Sequence, residues 1–142
     1  MASLIVGAFH TAGQSGGLNR MKDPYPHAPH LEAVKTKDAD ALLRQVEEAI
    51  KARDQALACA VVHRYGELGQ APRPILDILL KFAISEDGAL HAEKYYRTAT
   101  EEFMAMRPAF RGRQLVALAR VTASECGQPA PGYAEACKLL KI

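Results

Sequence analysis

Tryptophan is absent from this chain, and aromatic residues make up only 6% of it. Single-stranded nucleic-acid binders stack bases on aromatic rings, so that class has little to be built from. Charge of one sign is not in excess either, since 18 Lys and Arg stand against 16 Asp and Glu, a formal +2. A field that weak names neither nucleic acid nor an anionic membrane as partner. Cysteine is scarce and odd in number, with Cys59, Cys126 and Cys137. That excludes a fully paired disulfide framework and fits a reducing compartment. Long apolar runs are missing as well. The N-terminal "MASLIVGAFHTAGQSGG" holds six apolar or small residues from Leu4 to Phe9 with no basic segment before them, too few to span a membrane and wrongly flanked for a signal peptide. A cytoplasmic protein without a membrane partner is expected.

What is present is ordinary globular material: 142 residues, 49% hydrophobic and 24% charged. Such a chain can bury a core of its own. Ser3 to Ala12 reads as a short helix with Leu4, Ile5, Ala8 and Phe9 on one side, ended by "GQSGG". "NRMKDPYPHAPH", residues 19–30, holds three prolines; proline fixes its own φ and disfavours helix in the residue before it, so the run reads as an extended connector. The chain is thereby divided into residues 1–37, a short helix and Pro-rich connector, and a helical domain over 38–142.

In "DADALLRQVEEAIKA" the apolar residues Leu42, Leu43, Val46, Ala49 and Ile50 recur at helical spacing, with Asp38 or Asp40 available as N-cap. "RDQALACAVVHRYGELG" follows, and its apolar run from Ala56 to Val62 predicts a helix buried on all sides, closed by Gly69. "PILDILLKFAI" is expected to begin at Pro74 and to pair with it as a hairpin, Ala56 to Ile84, at the centre of the domain. Gly88 separates that hairpin from "ALHAEKYYRTATEEFMAM", in which Ala92, Tyr95, Tyr96, Ala99, Phe103 and Met106 form the inward stripe. "FRGRQLVALARVTASECG" and a short terminal helix carrying Tyr133, Ala134, Cys137 and Leu140 inward complete the chain. No segment alternates as a strand does. The fold class is all-α, a helical bundle or helical-hairpin array of five to six helices.

Candidate chemistry is thin. His91-Ala92-Glu93 is similar to the H-x-E pair of zinc nucleobase deaminases, and His91, Cys126 and Cys137 even supply a His/Cys/Cys tally. Those enzymes carry both thiolates in P-C-x-x-C, whereas here the cysteines stand apart, and a regular helix turns His91 and Glu93 to different sides. A bundle metal site of the E-x-x-H kind is excluded by the absence of that motif. A metal would need His91 to be joined by His63, His10 or a carboxylate from another helix. His63, at the end of an apolar run, is the stronger candidate for a buried base or ligand, with Glu67 or Glu102 as carboxylate, although a buried neutral imidazole bonded to backbone is the plainer reading of it. In "RPAFRGRQLVALAR", Arg107, Arg111 and Arg113 form a candidate anion patch, and Arg113 and Arg120 share a helix face. Arginine near a helix N-terminus opposes the macrodipole, so carboxylates elsewhere are expected to receive some of them. Cys59 should be inert.

"ISEDGALHAEKYYRTATEEF" and "RPAFRGRQLVALARVTASECG" together resemble the C-terminal helical region of larger uncharacterised bacterial proteins, over about residues 70–142. The resemblance carries no reaction and implies that the chain is a fragment or short form of something longer. Two functional classes fit these residues. One is an interaction or assembly module without a cofactor, forming a homo-oligomer or joining a larger protein partner. The other is a helical metal- or cofactor-dependent enzyme built on His63 and His91 with carboxylates.

Overall fold

The computed structural model describes residues 24–84, 92–128 and 132–140, with only the backbone of Tyr133 and Ala134. Seven helices and no strand occur among them. They are α1 (Ala28–Ala33), α2 (Ala39–Lys51), α3 (Gln55–Glu67), α4 (Arg73–Ala83), α5 (Ala92–Ala105), α6 (Pro108–Glu125) and α7 (Tyr133–Leu140). The expected helix over Ser3 to Ala12 and the break at Gly88 lie outside the described residues. No helix among those described is long and apolar enough to cross a membrane.

The ends of these helices follow from side chains that satisfy the first free N–H groups. Asp38 Oδ1 accepts from Ala41 N at 3.0 Å, and Asp54 Oδ1 accepts from Leu57 N at 2.9 Å. Proline occupies the first turn of α1, α4 and α6, where a missing N–H costs nothing. α1 is a correction to the extended connector: Pro29 opens a turn of helix instead of preventing one. The turn from α2 to α3 is short. Arg53 takes a left-handed φ of 59°, its N–H donates to Ile50 O, and Asp54 N donates to Ala49 O, a Schellman closure that leads straight into the Asp54 cap.

Helix α3 lies at the centre. Its buried residues Ala58, Cys59, Ala60, Val61, Val62 and Tyr65 point to several sides, and α6, α2 and α1 each pack against it. The expected central hairpin is not formed, because the backbones of α3 and α4 hardly approach one another. The reason is the amount of apolar surface α4 has to give. Its fully buried residues are Ile75 and Leu79, one helical turn apart, while Arg73 and Asp77 pair at 2.7 Å in solvent. A single stripe faces a single direction, and α4 gives it to α5, α6 and α2. The place beside α3 goes to α6, which supplies Leu115, Val116, Leu118, Ala119 and Ala123.

The core reaches back past Asp38. Val34 is 1% exposed, and Tyr25 and Leu31 pack against the cluster. Two inward assignments fail. Tyr95 is 44% exposed, leaving Tyr96, Ala99 and Phe103 as the side of α5 that packs on the core. Leu140 is 67% exposed on α7, which makes scarcely any contact with the other described helices.

Candidate functional site

A groove of about 820 Å³ runs along α6, between that helix and the segment Pro24 to Pro26. Its floor is narrow because the side chains are short. Ala109, Gly112 and Val116 recur three or four apart along α6, and Ala117 and Val121, four apart, run beside them. Gly112 adds to the openness, since a Cβ there would meet none of the described residues within 4 Å. Arg113 and Arg120 stand on the same face, and His63 enters from α3.

Both arginines are held over aromatic rings. The Arg120 guanidinium lies 4.4 Å from the centre of the Tyr25 ring, and its Nε donates to Gln55 Oε1 at 3.4 Å. Tyr25 is held in turn by His27, stacked at 4.2 Å. Arg113 lies 5.1 Å from the Phe110 ring, with Arg107 at 5.4 Å from the same ring. A ring face attracts a cation through its quadrupole but accepts none of the in-plane N–H bonds. Among the described residues, none of Arg107, Arg111, Arg113 and Arg120 is in an ion pair. The expected carboxylate partners are not found among the described residues. Helix α6 carries no acidic residue before Glu125, so it offers these arginines nothing one turn away.

The three-arginine patch is divided by the fold. Arg111 turns back to the end of α5, where its Nε donates to Met106 O at 3.1 Å and its Nη2 to Met104 O at 3.4 Å. Those are two carbonyls at the end of a helix, which a cation near a C-terminus suits. Arg107 flanks Phe110 outside the groove lining. Arg113 alone of the three enters the groove, and Arg120 is its companion.

His63 is not the buried imidazole that its apolar run implied. Its side chain is 39% exposed, and Nε2 stands 3.4 Å from Glu67 Oε1. The other oxygen of Glu67 accepts from Arg64 Nη1 at 2.8 Å, so the carboxylate is shared. Glu102 is exposed on α5, a helix that does not pack against α3, and the fold does not bring it to His63. His10 and His91 lie outside the described residues. Among those described, no three His, Cys, Asp or Glu residues are grouped to hold a metal. Cys59 is buried, its thiol pushed up to about 12 by the loss of solvent and directed at Val116 O, 3.5 Å away. It is no nucleophile at neutral pH.

The residues missed in the sequence are Tyr25 and Gln55. The signal for Tyr25 was its place between two prolines, which fix the backbone on either side of the ring. Comparison with protein-family models, with curated proteins and with solved structures finds no match to this chain.

Proposed function

We propose that the chain is a helical bundle serving as an interaction module, and that it holds a protein partner in the groove along α6. The observation that carries this reading is the pair Arg113 and Arg120. Each is set over a ring, and neither meets a carboxylate among the described residues. Cations kept in place without a counter-charge, above a floor of small and apolar side chains, are what a binding surface needs before its partner arrives. On this reading the protein works in the cytoplasm as part of a larger assembly. The rival, a hydrolytic or redox enzyme using His63, draws support from the His63–Glu67 pair. That pair is open to solvent and tied to Arg64, a poor setting for tuning a base.

The test is a photo-crosslinking residue placed at Gly112, compared with one at Asp77 on α4. A discrete protein adduct from Gly112 and none from Asp77 is expected. Absence of an adduct at Gly112, or a stoichiometric metal in the purified protein lost together with an activity, would overturn the proposal.

A further inference from the structure

The groove also specifies what kind of partner it takes, and this inference rests on the interaction-module reading. We infer that it receives an acidic helix of another protein, carrying two carboxylates seven residues apart. Arg113 and Arg120 are themselves seven apart within the uninterrupted helix α6. Two turns of helix separate their positions by about 10.5 Å along the axis. The two guanidiniums are held over different rings, Phe110 and Tyr25, so one phosphate or one carboxylate, with oxygens only roughly 2–3 Å apart, would have to draw both off their rings. A second helix laid along the groove serves both, because its own residues seven apart repeat the same rise and return to nearly the same side.

The floor agrees with a helical occupant. Helix axes pack at about 8–10 Å, the distance being set by the side chains at the contact. Ala109, Gly112 and Ala117 keep that distance short, and no described residue comes within 4 Å of the place a Cβ of Gly112 would take. Carboxylates on the partner would then meet guanidiniums already held over Tyr25 and Phe110. Less side-chain freedom is lost on binding when one partner is held in advance.

Charge excludes two nearer occupants. Residues 1–22 of this chain contain no Asp or Glu, so they supply no counter-charge. A second copy offers, on the described helices, the pair Asp40 and Glu47 at the required spacing. Glu47 is already held by Lys81 at 2.7 Å and Lys51 at 2.9 Å. The described helices of a second copy thus offer no free pair at this spacing, which favours a different protein as the occupant.

The experiment uses the full chain and a stapled, fluorescein-labelled Ala-rich helix with two glutamates seven apart, read by anisotropy. A control peptide of equal charge has them five apart, on opposite faces. The first should bind and the second bind roughly five- to tenfold more weakly. R113A and R120A should each weaken the first peptide by about the same factor. The double variant R113E/R120E should lose it and recover a peptide with lysines at the two positions. R111A, outside the groove, should leave binding unchanged. Equal binding of both peptides, competition by submillimolar inorganic phosphate, or a second copy of the chain blocking the peptide would overturn the inference. The Gly112 crosslink separates the two proposals. An adduct to a non-acidic or non-helical segment sinks this inference alone, and no adduct sinks the module reading with it.

Discussion

At Cys59 the fully buried thiol loses its solvation and titrates near 12, whereas Cys126 and Cys137 are half-exposed. An aromatic disulfide reagent at pH 8 should therefore leave Cys59 unmodified in the native protein and reach it only in denaturant, as mass spectrometry of the labelled peptides will show. Glu47 behaves oppositely. Hydrogen bonds from Lys81 and then Lys51 hold its carboxyl below the ordinary 4.5. A carboxyl lowered on folding stabilises at neutral pH, and that contribution is lost as pH falls through the folded value. Glu47→Gln should cost under about 1 kcal/mol at pH 7, because both lysines are exposed. The difference from the parent should close as unfolding is measured below pH 4.5. At this scale the candidate site was half legible. The spacing of Arg113 and Arg120 put them on one face, since helical period is a local property. Tyr25 was not legible, because which helix a loop ring lies on is decided by packing far away in sequence. His63 was misplaced for the same reason: an apolar run ahead of it says nothing of which side the next residue faces.

Among the elements, the turn from α2 to α3 stores strain in a single residue. Arg53 at φ 59° pays a steric penalty that glycine avoids. Arg53→Gly should raise stability by roughly 0.5–1 kcal/mol, read as a shift of the urea midpoint at constant slope. Arg111 joins α5 to α6 through two carbonyls of the α5 end. Arg111→Ala should lower stability by about 1 kcal/mol, while Arg113→Ala leaves the melting temperature alone. Helix positions were readable because caps, prolines and glycines act within a few residues: Asp38, Gly69 with φ 68° and Gly127 with φ 71° all stand where helices begin or end. The partner of each helix was not readable. "PILDILLKFAI" looks apolar throughout, yet only Ile75 and Leu79 are fully buried, and chain proximity favoured a hairpin that packing did not make.

For the whole molecule, the decisive fact is that α3 is covered by elements from both sides of it in sequence, α1 and α2 before and α6 after. Amides of Ala60, Val61 and Val62 should exchange with deuterium only by global unfolding, and those of α7 much sooner. Leu42 is fully buried on α2, and Leu42→Ala should cost about 2–5 kcal/mol in chemical denaturation. The same topology has a consequence for synthesis. A ribosome adds roughly 5–20 residues per second. The last residue of α6, Glu125, is made 58 positions after Glu67 ends α3, which takes roughly 3–12 s at those rates. Throughout that interval this helix, apolar on several sides, has α1 and α2 to lie on and its largest neighbour still unfinished. Slowing elongation prolongs this exposure, and a holding chaperone present during translation shields it. Soluble yield should therefore depend on events before the chain is finished.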